Sequence, residues 1–175
     1  RLIECDPGEF AMVIKDRSDV RMAEKALFRA LTKPVDGIVS RYFNRPISKT
    51  ITRGVLLFGA TPNAMTLVTL LVGLAAAGFN LTSTPAGTVW GALCFVLASI
   101  LDGCDGEIAR LKFQHSHRGE WFDSISDNIV NVFYFATLGV ALGVQQSQPS
   151  WWILASLGFF ASWLSLVIIY RRMWK

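Results

Sequence analysis

The chain has 175 residues, 52% hydrophobic and 17% charged, with a net charge of +4 at neutral pH. That length suits one domain, and the apolar residues fall in long blocks, which excludes an ordinary water-soluble globule and points to a membrane protein. The positive excess lies beside those blocks, so it meets lipid headgroups and phosphorylated compounds, and no RNA- or DNA-binding signature accompanies it.

Residues 1–18 are polar at the start (RLIECDPGEF), with no apolar signal segment and no initiator Met, which points to a piece of a longer chain. Residues 9–14 read as a short strand, too little to fold alone, so 1–18 is expected to be a tail or linker. Residues 19–33 and 35–45 read as amphipathic helix broken at Pro34, with Leu27, Leu31, Val35, Ile38 and Tyr42 recurring among Arg21, Lys25, Arg29, Lys33, Arg41 and Arg45. Such a helix either lies on the headgroup surface or packs on a neighbouring soluble domain. Glu24 and Asp36 belong to its solvated side.

Four apolar spans follow, at about 62–81, 86–110, 118–144 and 151–171, each close to the roughly 20 residues that cross a bilayer. Thr61 as N-cap and Pro62 at the first helical position start the first of them sharply. The connections at 80–85 and 145–149 carry no charge. The stretch before the first span, the turn holding Arg110, Lys112 and Arg118, and the end ArgArgMetTrpLys are basic. The positive-inside rule then places the N-terminal region, the 111–117 turn and the C-terminus in the cytoplasm, with Trp90, Trp151 and Trp152 at the outer interface and Trp174 at the inner one. Residues 19–175 thus form an all-α integral membrane domain, a transmembrane bundle preceded by an interfacial helix.

Four acids interrupt the spans: Asp102 and Asp105 in the second, Asp123 and Asp127 in the third. Each costs roughly 2.5–3.5 kcal/mol at the centre of a membrane helix, so each needs compensation and marks function. The i, i+3 and i, i+4 spacings put each pair on one helical face. If the second and third spans are antiparallel neighbours, both pairs point into one interhelical space. An all-carboxylate set suits a hard divalent cation such as Mg²⁺, Mn²⁺ or Ca²⁺ and not a thiolate or imidazole zinc site. Cys5, Cys94 and Cys104 are odd in number and lack a CxxC spacing, so they imply neither a disulfide framework nor zinc, and Cys94 and Cys104 read as packing residues.

The residues Asp102, Asp105, Gly106, Ala109, Arg110, Gly119, Asp123 and Asp127 occupy fixed gaps over 26 positions. This pattern resembles, at every defined position, the motif of the CDP-alcohol phosphotransferase family, and ThrProAsnAlaMetThr at 61–66 is similar to the element that opens its first membrane helix. The resemblance spans roughly residues 21–175. It implies a membrane enzyme that transfers a phospho-alcohol group from a CDP-alcohol to an acceptor hydroxyl and releases CMP in phospholipid or inositol-phosphate biosynthesis. It also implies two Mg or Mn ions on the four aspartates, Asp127 as base, a homodimer, and six membrane helices of which this chain shows four. The leading strand and basic helix resemble the branch fused to a nucleotidyltransferase domain, similar to enzymes that join CDP-inositol to inositol phosphate.

Within the motif, Gly106, Ala109, Arg110 and Gly119, with Asn63 and Thr66, are the expected nucleotide contacts. Small residues also serve helix packing, as Gly103 is expected to do. Lys112 and Arg118 either hold an acceptor phosphate or are flanking positive charge. His115 and His117 read as exposed loop residues, and Glu107, off the aspartate stripe, as structural. Two other classes compete with the enzyme: a divalent-cation transporter, and a structural module whose acids pair with Arg110 and Arg118. Four acids outnumber those two arginines, and the acids gather near one face instead of crossing the bilayer.

Overall fold

In the computed structural model the described residues are 16–31, 38, 40–114, 116–147 and 149–173. The strand expected at 9–14, the break at Pro34, and Cys5, Asp36, His115 and Trp174 lie outside them. The described residues form six α-helices and no strand: α1 (Arg17–Ala30), α2 (Arg45–Leu57), α3 (Pro62–Leu81), α4 (Pro85–Leu111), α5 (His117–Gln146) and α6 (Pro149–Met173). Four of them, α3 to α6, are long and apolar enough to cross a membrane.

The ends of these helices are local chemistry. Thr61, Thr84 and Ser116 each stand in extended backbone and accept a hydrogen bond from the third residue on, Ala64, Gly87 and Gly119, at 3.3, 3.0 and 3.1 Å. Pro62 and Pro85 follow two of these caps, where a missing N–H costs nothing. The expected spans therefore match the helices to within two residues.

One helix is absent from the sequence reading. Amphipathic structure is expected to stop at Arg45, yet a π-helical turn at Ser40–Asn44 leads directly into α2. Pro46 looks like a stop, but in a first turn it removes no hydrogen bond. Ile51, Val55 and Leu56 then pack against the buried cluster of Met65, Leu101, Cys104 and Ile108. Gly59, at φ +73°, turns the chain out of α2 in a left-handed conformation that disfavours side chains.

α2 packs on α4, α6 on α5, and α3 along both α4 and α5. α4 and α5 run antiparallel, as the acid spacing needs: their backbones come close at few positions, but side chains meet between them, Gln145 with Thr88 and Tyr134 with Phe95, while α3 packs along both. Small residues permit this. A Cβ on Gly73 would overlap Val130 of α5, and one on Gly91 would press on Asn80 and the Ala76 carbonyl of α3. Phe95 of α4 and Tyr134 of α5 bridge the gap, with rings stacked at 3.9 Å.

α1 is tied down lightly. Glu24 pairs with Arg53 at 3.0 Å, the Arg53 guanidinium lies 4.9 Å from the Phe28 ring centroid, and the Leu31 carbonyl accepts from Arg110 at 3.2 Å. Arg45 is not a headgroup-facing charge as the basic helix implies: its Nη1 lies 3.3 Å from Glu107, a fully buried carboxylate that also accepts from Ser48 at 2.7 Å and Thr52 at 2.8 Å. Cys104, also fully buried, packs beside the Ser48 carbonyl. Trp90 and Trp152 are exposed near the ends of their helices, and Leu71, Val96, Phe133 and Phe160 present apolar surface suited to lipid.

Candidate active site

The aspartates converge between α4 and α5, whose backbones come close at few positions. Asp102, Asp123 and Asp127 each offer a carboxylate oxygen, and these oxygens all lie within 4.8 Å of one another. Asp105 joins them from the side: its carboxyl meets that of Asp123, as that of Asp102 meets Asp127. Thr66 of α3, itself buried, donates to Asp105 at 2.7 Å and fixes its orientation. Thus α3, which carries no acid, holds the two acid-bearing helices in register.

Like charges this close need a counter-charge. Asp123 Oδ1 is buried and has no hydrogen-bond partner among the described residues. A buried carboxylate oxygen without a donor, inside an all-oxygen set, fits a hard divalent cation. Asp102, Asp123 and Asp127 form the tight group, with Asp105 at its edge.

Beside them lies a cavity of about 210 Å³. Asn63, Thr66, Gly106, Ala109, Arg110 and Gly119, the six residues expected to contact nucleotide, all line it, with Asp105 and Asp123 as its inner wall. The N-termini of α3 and α5 open onto it through Asn63 and Gly119, and helix N-termini attract anions. The two glycines differ in what they need. A Cβ on Gly106 would meet nothing within 4 Å, so protein packing does not require glycine there. A Cβ on Gly119 would sit 3.0 Å from Ser116 Oγ, so the cap alone is enough to favour glycine.

Lys112 and Arg118 do not line the cavity. Lys112 Nζ donates to the carbonyls of Gly59 and Ala60 at 3.1 and 2.6 Å and closes the turn between α2 and α3. Arg118 is exposed. His117 is exposed as expected, 3.8 Å from Glu120. Glu120 and Gln114 line the cavity and were not singled out from the sequence; Glu120 follows Gly119 in an unspecified gap of the motif, which gives it no signal of its own.

A second cavity, about 130 Å³, lies on the other side of the carboxylates, lined by Asp102 and Asp127 with Thr69, Phe95, Ala98, Ser99, Val130 and Asn131. None of its polar residues beyond the two acids was predicted, because isolated Thr, Ser and Asn in an apolar span look like ordinary helix contacts.

The family profile of the CDP-alcohol phosphatidyltransferases matches residues 59–174. The bifunctional IPC transferase and DIPP synthase of Archaeoglobus fulgidus is 39% identical over 134 residues, 76% of this chain and 26% of that protein. The protein of the same name from Thermococcus kodakarensis is 37% identical over 145 residues, 82% of this chain and 32% of that one. A CDP-diacylglycerol--serine O-phosphatidyltransferase of Mycobacterium tuberculosis is 31% identical over 96 residues, 55% of this chain and 32% of its own length. The chain spans about a quarter to a third of the length of these curated relatives.

Proposed function

The chain belongs to the CDP-alcohol phosphatidyltransferase family, and on that footing we propose that it transfers the phospho-alcohol group of a CDP-alcohol to an acceptor hydroxyl and releases CMP. One observation carries this reading: a cavity onto which two helix N-termini and Arg110 open, a setting suited to phosphate, shares a wall with the clustered carboxylates. A pyrophosphate needs both halves of such a site, donors for its oxygens and ligands for its cations.

In this reading the nucleotide occupies the larger cavity. Arg110 and the N–H groups at the starts of α3 and α5 hold its phosphates, and Gly106 leaves room for them. Asp102, Asp105, Asp123 and Asp127 would hold two divalent cations, Mg or Mn, which when bound neutralise the phosphates and stabilise the entering and leaving oxygens. Thr66 keeps Asp105 turned to that task. Asp127 takes the proton of the acceptor hydroxyl as its oxygen bonds to the phosphorus bearing the alcohol. The bond from that phosphorus to the bridging oxygen breaks, and the electron pair leaves with CMP.

We read the donor as CDP-inositol and the acceptor as an inositol phosphate, a reading supported by the likeness to proteins named for DIPP synthesis. Of the two outer cations, Lys112 is engaged with the α2–α3 turn and Arg118 is exposed at the start of α5, outside the cavity.

The full-length protein in lipid is expected to release CMP from CDP-inositol only with Mg²⁺ or Mn²⁺. Full turnover in excess EDTA, with metal removal verified, would exclude the two-cation arrangement. The site is read as facing the cytoplasm. Single cysteines at Ser83 and Ser147 are expected to react with an impermeant thiol reagent from outside, and one at Gln114 only after the membrane is opened. The reverse pattern inverts the orientation.

A further inference from the structure

The two cavities share no lining residue, and the carboxylates stand between them. Along each of three helices the polar residues step from one cavity to the other in about one turn. On α3 the step runs from Thr66 to Thr69, on α4 from Asp105 to Asp102 and Ser99, and on α5 from Asp123 to Asp127 and Asn131. The second cavity is therefore the one nearer the middle of the bilayer. We propose that it receives the reacting hydroxyl group, held against Asp127 by Thr69, Ser99 and Asn131. The proposal rests on the transfer reading and goes beyond it by naming where the hydroxyl sits and what orients it.

Direction is the first argument. In an in-line displacement the entering and leaving oxygens lie on opposite sides of the phosphorus. If CMP departs into the cavity walled by Asp105 and Asp123, the hydroxyl arrives from the side walled by Asp102 and Asp127. That places its proton beside Asp127 and its oxygen towards phosphorus, and the bond made and the bond broken balance as described above.

Thr69 supplies the second argument. It lines the cavity, is 5% exposed, and its hydroxyl has no hydrogen-bond partner among the described residues. A helical Thr usually bonds back to a carbonyl one turn earlier, as Thr66 does to Pro62 and Thr137 to Phe133. A buried hydroxyl that forgoes this bond inside a membrane span is costly unless a ligand meets it.

Size and lining give the third. The inner cavity, about 130 Å³, is smaller than the one of about 210 Å³ and has room for several waters or for a hydroxyl with its neighbouring carbon atoms. Phe95, Ala98 and Val130 supply apolar wall, and Phe95 is braced by its stack on Tyr134. Ser99 lines the cavity and is itself exposed.

The hydroxyl can belong to the acceptor alcohol or to water, and the assay separates them. Thr69→Val removes only the hydroxyl, Thr69→Ser restores it, and Asn131→Leu removes the amide. Each is made in the full-length protein in lipid, with CDP-inositol as donor and inositol 1-phosphate as acceptor. The readouts are acceptor KM, kcat, CMP release without acceptor, and CMP affinity by calorimetry.

The expected result is a rise of about tenfold in acceptor KM for Thr69→Val and Asn131→Leu, recovery in Thr69→Ser, and unchanged CMP affinity. If water is the occupant, acceptor-free CMP release falls by about tenfold in the same two variants while acceptor KM stays put. The proposal is overturned if both quantities stay near their unmodified values, or if CMP affinity falls in parallel. Should Thr69→Val fail to insert, Asn131→Leu decides on the same readouts. An unmodified protein that releases no CMP from a CDP-alcohol refutes the transfer reading itself. One that does so with unaltered variants refutes only this assignment.

Discussion

Asp127→Asn is expected to lower CMP release by about 10²–10⁴-fold, the usual worth of a general base, while nucleotide affinity at fixed Mg²⁺ stays largely intact. Asp123→Asn is expected to weaken nucleotide binding as well, by roughly 10–100-fold, the range that even outer-shell changes produce in metal affinity. The geometry motivates the contrast. Asp123 lines the larger cavity and has a buried oxygen without a donor, so its charge is the best suited to a cation that also touches nucleotide. Asp127 lines only the inner cavity. An amide at either position keeps size and one acceptor oxygen and removes the charge and the proton affinity. The comparison needs calorimetry with CMP beside a CMP-release assay. Equal loss of affinity in both variants would make Asp127 one more metal ligand, and retained turnover in Asp127→Asn would remove it from the chemistry.

The second large effect is on stability. Glu107→Ala is expected to destabilise the folded protein by on the order of 3–5 kcal/mol, as when one partner of a buried ion pair is removed. Glu107 is fully buried and satisfies three groups of α2 at once: Arg45 at 3.3 Å, Ser48 at 2.7 Å and Thr52 at 2.8 Å. Alanine leaves Arg45 without that carboxylate and opens a cavity between α2 and α4. Glu107→Gln keeps the size and an acceptor oxygen, and is expected to cost less. Arg45 also acts on Asp102 at electrostatic range, so loosening α2 is expected to lower activity besides stability. Unfolding midpoints in a denaturing-detergent titration measure the effect. An unchanged midpoint for Glu107→Ala would mean that α2 is not fastened through this group.

What the sequence determines by itself is what neighbours along the chain determine. The four spans follow from runs of apolar residues and from caps a few positions away, so α3 to α6 are legible to within two residues. The face shared by Asp102 and Asp105, or by Asp123 and Asp127, follows from helical spacing alone. The six expected nucleotide contacts do fall around one cavity, but it was the motif that singled them out, since Gly, Ala and Thr in apolar helices have no chemistry of their own to announce. The tertiary structure decided the rest, because it depends on which faces meet. Spacing cannot tell that α3 packs along both α4 and α5, since that arrangement rests on Gly73 and Gly91 letting backbones approach residues far along the chain. Nor can it tell that Arg45 turns inward: a basic residue beside a membrane span reads as a headgroup contact until Glu107, 62 residues on, is found buried against it. The division of the four carboxylates between two cavities has the same origin. Each pair is local, but the two sides of the cluster exist only once three helices are packed together.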